Sequence, residues 1–328
     1  MRLRLTLLTG ALVLAVLTWQ VLTPTRALTA GPRSVEIPAH AGILRVASAL
    51  GDAEVIRSRA GFVLLSLARG SARKLQAGEY EVDRGTSTLG VLRLLESGRV
   101  RQHVVLHREG ATVAELGREL EALRLARAAD VVRLAHEPAF VRGLGVEGSS
   151  LEGYLFPDTY QFVRGMSAEE ILARMVQRLH SKLGPDLVAR ARARGLDVHQ
   201  LLTLASIIER EAVARDEMGL ISAVFWNRLK LDMPLQADPT VQYAVGKERR
   251  ALTRADLQID HPFNTYRHPG LPPGPIASPG LQAIGAALEP APVKYLYFVA
   301  MDDRRHYFSI TVAQHNAAVV RYRLARNR

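Results

Sequence analysis

Between His261 and Gly280 the stretch HPFNTYRHPGLPPGPIASPG carries six prolines and three glycines. Proline fixes φ and lacks an N–H, so this segment can be neither a regular helix nor a central strand. The chain must cross it as a turn-built loop, and its aromatic and amide side chains argue for an ordered one.

On either side the periodicity is clear. Apolar residues recur at three- and four-residue intervals over Ala122 to Ala135, Ala168 to Leu183, Pro185 to Arg194 and Val198 to Ala214, which predicts helices. Ser167, followed by Glu169 and Glu170, is a good cap with an acidic first turn. After the loop, KYLYFVA, MDDRR and HYFSI read as strand, turn and strand, and TVAQHNAAVVRYRLAR as a closing helix.

Ahead of residue 122 three segments share a strand, turn and helix-start pattern: 35–50, 80–98 and 104–120. Gly85 and Gly110 suit the turns and Thr88 and Thr112 the helix caps. Leu89, Leu92 and Leu95, and Val113, Leu116 and Leu120, suit the buried faces. Their irregular spacing excludes a solenoid and predicts one small α+β domain, with a further helix around Ala53 to Ala68.

The N-terminus sets the compartment. Arg2 and Arg4 precede an apolar run from Leu5 to Leu22, long enough to cross a bilayer core of about 30 Å. A cleaved signal peptide fits less well, because the run is long and TPTRALTA, with Arg26, is a poor cleavage site. The expectation is an uncleaved anchor over residues 1–25, N-terminus in the cytosol, with everything from residue 30 outside the cytoplasmic membrane.

With no cysteine, the chain has no disulfide, thiolate nucleophile or Cys-based zinc site. His261, His268, His306 and His315 lack the spacing of an HExxH zinc site, and no glycine-rich phosphate loop follows a predicted strand. Neither metal nor cofactor is expected. The net charge of +11 fits an anionic neighbour such as lipid head groups or acidic wall polymer, and no nucleic-acid-binding motif is present.

LASIIEREA, residues 204–212, places Glu209, Arg210 and Glu211 at the end of an apolar stretch. On a helical wheel Arg210 lies opposite the apolar face and the two glutamates on its borders. A carboxylate held against apolar side chains has its charged form disfavoured, which is what an acid protonating a glycosidic oxygen near neutral pH requires. Periodicity does not choose between Glu209 and Glu211, and a plain amphipathic helix with paired border charges is the commoner explanation of such a tripeptide taken alone. Asp238, ahead of Pro239 and Thr240, reads more readily as a turn or cap residue than as a second carboxylate, and Ser206 as a small packing residue.

Taken in order, LEGYLFPDTY, LASIIEREA, FWNRLKLDMPLQADPTVQYAVG, NTYRHPGLPPGPIASPG and YLYFVA behind an N-terminal anchor resemble the YceG-like endolytic murein transglycosylases. The resemblance implies an α+β chain: a transmembrane helix, a small LysM-like domain (30–105) and a mainly helical, lysozyme-like catalytic domain (106–328) closed by the hairpin and last helix. It implies Glu211 as the catalytic acid. Glu209, Glu152, Tyr154, Tyr160, Gln236, Asp238, Asn264 and Tyr266 would be supporting or substrate-binding residues. The implied substrate is peptidoglycan, cut in nascent strands with a 1,6-anhydro end, and the implied partners are penicillin-binding proteins and other wall-synthesis proteins at the inner membrane. A two-carboxylate muramidase and a non-catalytic, peptidoglycan-binding scaffold are the alternatives.

Overall fold

The computed structural model describes residues 15–16, 18–25, 31–38, 40–247, 250–301 and 305–326. The expected anchor lies largely outside these residues; among the described residues no helix is long and apolar enough to cross a membrane. The protein is a mixed α/β chain, mostly helical with small two-stranded sheets, and divides into two compact units.

The first unit comprises residues up to Val104 plus Gln161–Met166. Its strands β1 (Arg33–Ile37) and β2 (Gly78–Val82) pair antiparallel, with Arg33 opposite Val82 and Ile37 opposite Gly78. Helices α1 (Ile43–Asp52), α2 (Arg59–Ala68) and α3 (Thr88–Ser97) accompany them. Strand alternation sends Val35, Ile37, Tyr80 and Val82 into a core shared with Val46, Leu50, Phe62, Val91, Leu92 and Leu95. The cap of α3 is Ser87, which accepts from Gly90 N–H, rather than Thr88; Thr88 is buried and donates to the Gln20 carbonyl instead. Val91, not Leu89, completes the buried face. The helix expected from Ala53 begins only at Arg59, where Ser58 caps it.

Glu79 points away from that core yet is buried, because Ser34 donates to it at 2.6 Å, His103 Nε2 lies 2.8 Å away and Arg164 Nε 3.2 Å away. Burial alone would raise its pKa, but these hydrogen bonds and charges hold it below the usual carboxylate range. A depressed folded-state pKa adds stability above the unfolded value, and that stability disappears as pH falls through the folded value. Glu79→Gln is therefore expected to cost about 3 kcal/mol at pH 7, as breaking a buried charge cluster does. Chemical denaturation at pH 7 and at pH 3 checks this: the gap between variant and wild type should narrow at the lower pH.

The chain passes between units within strands β3 (Gln102–Leu106) and β4 (Thr159–Val163), which pair with each other. The second unit holds α4 (Val113–Ala122), α5 (Ala128–Ala135), α6 (Pro138–Gly143), α7 (Ala168–Ala193), α8 (Val198–Glu211), α9 (Met218–Lys230), α10 (Asp238–Ala244) and α11 (Leu281–Leu288). It closes with the hairpin β5 (Tyr297–Ala300) and β6 (His306–Ser309), paired Tyr297 to Ser309 and Ala300 to His306, and α12 (Val312–Arg326). The turn expected over Met301–Arg305 lies partly outside the described residues.

Two helices differ from the periodicity. The single helix expected over Ala122–Ala135 is broken: Arg124 takes a left-handed φ of 56°, and the Leu125 and Arg124 N–H groups close on the Leu120 and Glu121 carbonyls, so α5 starts afresh at Ala128. Helix α8 stops at Glu211, where Ala212 turns extended, three residues short of Ala214. It is also not amphipathic in the expected sense, since every residue from Leu201 to Ile208 is buried. The charges at 209–211 mark where a helix enclosed on all sides emerges. The break expected between Leu183 and Pro185 is present as non-helical backbone at Gly184 within α7, and Thr112 and Ser167 make full capping boxes with Glu115 and Glu170.

Candidate active site

The last three residues of α8 point to three different partners. Glu209 Oε2 accepts from the Gly280 N–H at 3.0 Å, at the start of α11. Arg210 Nη1 donates to the Gly110 carbonyl at 3.2 Å. Glu211 faces a cavity of about 290 Å³ that it shares with Arg228, Gln236, Asp238, Tyr266, Phe298 and His306. Burial, and secondarily the Asp238 charge, pushes its pKa up to about 8 against the opposing Arg210 and Arg228, so it carries its proton at neutral pH. Burial also raises the pKa of Glu209, but that carboxyl is committed to the Gly280 amide.

Asp238 opens α10 beside Pro239. Its Oδ1 accepts from the Tyr266 hydroxyl at 2.6 Å and it lines the cavity, so it joins the site rather than serving as a turn residue. Burial, then the Asp238 hydrogen bond and charge, push the Tyr266 phenol upward and keep it a donor. Tyr266 is set in place by Asn264, whose Oδ1 accepts the Tyr266 N–H while its amide donates to the Leu257 and Ile259 carbonyls. Asn264 is fully buried, a scaffold for Tyr266 rather than a ligand contact.

Arg228 is the buried hub of the cavity, 7% exposed. Its Nε donates to the Leu296 carbonyl at 2.7 Å, and its Nη1 to the Pro234 and Leu235 carbonyls and to Gln236 Oε1 at 3.0–3.1 Å. The guanidinium also lies over the Tyr297 ring, 5.2 Å from its centroid. Gln236 sits at a left-handed φ of 50°, held by its N–H to the Thr265 carbonyl.

The proline-rich loop is ordered because α8 and the segment around residue 110 bind its backbone. His199 Nε2 meets the Pro273 carbonyl at 2.7 Å, Ser206 Oγ accepts from Ile276 N–H at 3.1 Å, and Ser278 exchanges backbone hydrogen bonds with Gly110 and Ala111. His107, kept neutral by burial that pushes its pKa down to about 4, contacts Ser278 Oγ at 2.9 Å. Ser206 is thus a loop anchor, more than a packing residue. Gly153 meets the loop at a φ of 78°, where an added Cβ would stand 2.2 Å from Pro275 Cβ and 3.2 Å from the Ala277 carbonyl. Gly153→Ala is expected to destabilise by about 2–4 kcal/mol, strain and overpacking together, as a lower urea midpoint.

Of the residues singled out in the sequence, Glu211, Gln236, Asp238 and Tyr266 come together here. Glu152, Tyr154 and Tyr160 do not line this cavity. The Glu152 carboxylate receives the Val113 N–H at the start of α4, Tyr154 bonds His199 Nδ1 at 2.8 Å, and the Tyr160 hydroxyl donates to the Phe156 carbonyl at 2.6 Å. All three are buried scaffold. Arg228 and His306 also line the cavity, and the sequence does not mark them as site residues: Arg228 falls within FWNRLKLDMPLQADPTVQYAVG and His306 opens HYFSI.

Residues 35–321 match the YceG-like family. The chain is 33% identical over 310 residues to the endolytic murein transglycosylase of Bacillus subtilis (strain 168), covering 90% of this chain and 86% of that protein. It is 31% identical over 280 residues to the endolytic murein transglycosylase of Streptococcus pneumoniae serotype 2 (strain D39 / NCTC 7466), covering 76% of this chain and 51% of that longer protein. The crystal structure of a YceG-like protein from Listeria monocytogenes superposes with a TM-score of 0.62 at 33% identity, covering 87% of this chain and 98% of that one.

Proposed function

Because the chain belongs to the YceG-like family, we propose that it is an endolytic murein transglycosylase, a lyase that cuts peptidoglycan glycan strands with Glu211 as the catalytic acid. The observation that carries this reading is a carboxyl pushed up to about 8, protonated at neutral pH and facing a cavity among polar side chains. In the reaction the bond from the N-acetylmuramic acid anomeric carbon to the next sugar's oxygen breaks, and Glu211 gives that oxygen its proton. The sugar's own C6 hydroxyl attacks the anomeric carbon, closes a 1,6-anhydro ring and releases its proton to a base. The Glu211 carboxylate just formed is one such acceptor. Because nucleophile and electrophile belong to one sugar, ring closure is intramolecular and no second catalytic carboxylate is needed. The acetamido oxygen can stabilise the anomeric centre meanwhile. Asp238, already bonded by Tyr266, serves by holding the Glu211 proton in place electrostatically.

The anchor expected over Leu5 to Leu22 would hold the catalytic unit outside the inner membrane, where new strands are met at high effective concentration. Cutting there ends strand elongation. The first unit, LysM-like by resemblance, would contact peptidoglycan, and penicillin-binding proteins are the natural neighbours. Mass spectrometry of products from nascent strands tests the chemistry: 1,6-anhydro-N-acetylmuramic ends are expected, whereas reducing ends alone would establish the two-carboxylate muramidase instead.

A further inference from the structure

A second cavity adjoins the catalytic one at the Ala300 end of the hairpin. It measures about 340 Å³ and is lined by Ala300, Met301, Tyr307, Ala318, Arg321 and Tyr322, from the hairpin and α12. Ala300 lines both cavities, and Val299, in the wall of the first, pairs across the sheet with Tyr307, in the wall of the second. Along β6 the side chains alternate, so His306 borders the catalytic cavity and Tyr307 the other. Glu217 holds this hairpin in place, accepting the His306 backbone N–H at 3.2 Å while its Oε2 lies 2.9 Å from Nδ1.

The second cavity combines apolar walls with one cation. Arg321 is exposed and sets its guanidinium over the Tyr307 ring, 5.3 Å from the centroid. Among the described residues no carboxylate pairs with it; Asp302 and Asp303 lie outside them. From Arg304 to Arg328 the sequence carries six arginines and no Asp or Glu. A guanidinium laid flat on a ring keeps its edge N–H groups for a planar anion, and a carboxylate fits that fork with two hydrogen bonds. Met301, Ala318 and Tyr322 supply the apolar walls. The ligand that matches is a short peptide with methyl side chains and free carboxylates.

We propose that this cavity takes the stem peptide of a muramic acid unit in the strand being cut, with Arg321 binding a peptide carboxylate. This rests on the murein reading above. A β-1,4-linked glycan is stiff, whereas a stem peptide branches from it, is flexible and can turn round the Ala300 end of the hairpin. The consequence is selection: strands that still bear their peptides are held at this second point, and stripped strands are not.

The test uses the full chain and two substrates: strands with their stem peptides, and the same strands after an amidase has removed the peptides and left the lactyl carboxylates. On peptide-bearing strands Arg321→Gln should raise KM about tenfold with kcat changed less than about twofold, because a charge-assisted fork is lost and the chemistry is untouched. On stripped strands the variant should match wild type. Arg321→Lys should recover only part of the loss, since an ammonium makes no planar fork. Arg321 is exposed, so melting curves should coincide. The Glu211→Gln protein, which keeps the cavity and cannot cut, should bind peptide-bearing strands about tenfold more weakly when Arg321→Gln is added. An unchanged KM on peptide-bearing strands would overturn the proposal, and so would an equal loss on both substrates, which would assign Arg321 to the glycan itself. A wild type that neither cuts nor binds either substrate would instead sink the murein reading, and the proposal with it.

Discussion

Glu211→Gln should lose activity by about 10³-fold or more while remaining folded, because glutamine keeps the shape of the side chain and cannot donate an acidic proton. The same replacement should change stability in a pH-dependent way. A carboxyl whose folded pKa is raised to about 8 prefers to be neutral in the fold, so the wild type loses stability as pH climbs from the unfolded value, near 4.5, towards 8. The variant, neutral throughout, should melt close to wild type at pH 4.5 and above it at pH 9. Activity of the wild type should fall over the upper part of that same range, as the acid loses its proton. An active, folded glutamine variant would show that the proton comes from elsewhere. A melting difference that is constant with pH would show that Glu211 is not protonated in the native cavity. Glu209→Gln provides the contrast. The Gly280 N–H can still be received by the amide oxygen, so activity should drop far less.

The largest loss of stability is expected from Arg228→Met. Methionine fills part of the space, but the Leu296, Pro234 and Leu235 carbonyls would lose their charged donor in a buried place. Each stranded polar group costs about 1–3 kcal/mol, and removing one member of a buried charged network costs about 3–5 kcal/mol in all. Denaturation with urea should show that loss. Arg228→Lys should not recover it, since a single ammonium cannot reproduce donors from both Nε and Nη1 in one plane. Activity should fall with stability in both variants, because Arg228 lines the cavity and ties its wall residues Leu235 and Gln236 in place. A methionine variant as stable as wild type would show that water takes over these carbonyls.

The sequence spoke most clearly where chemistry is local. Thr112 and Ser167 announce their helices because a capping hydroxyl and a glutamate three residues on form a closed set. The proline-rich loop announces itself through the hydrogen bonds it cannot make. Glu211 could be narrowed to one of two carboxylates, but its choice over Glu209 depends on where α8 ends, and helix ends are set by tertiary partners such as Gly280 and Gly110. Glu152, Tyr154 and Tyr160 drew notice as a polar and aromatic set beside prolines, yet their polar atoms are consumed by buried backbone and histidine partners. Arg228 stayed hidden for the converse reason. What matters about it is a fan of backbone carbonyls, from Pro234 and Leu235 six and seven residues on and from Leu296 68 residues on, and a carbonyl has no letter in a sequence. Asp238 obeyed turn chemistry in its neighbours Pro239 and Thr240, while its own carboxylate went to Tyr266, 28 residues on.

The stitching of the proline-rich loop also bears on how the molecule comes into being. His199 to Pro273, Ser206 to Ile276 and Glu209 to Gly280 join positions 74, 70 and 71 apart along the chain, and Glu217 to His306 joins positions 89 apart. Contacts of such separation must overcome a large loop-closure entropy before they are rewarded, so they form late relative to the helices that carry them. Helix α8 can exist before its terminal carboxylate has a cavity to face. During synthesis, lytic competence would then arrive abruptly, with emergence of the hairpin, instead of growing with chain length. For an enzyme that cuts the polymer on which its own cell depends, a nascent chain that stays inert until its final strands are in place is a built-in delay.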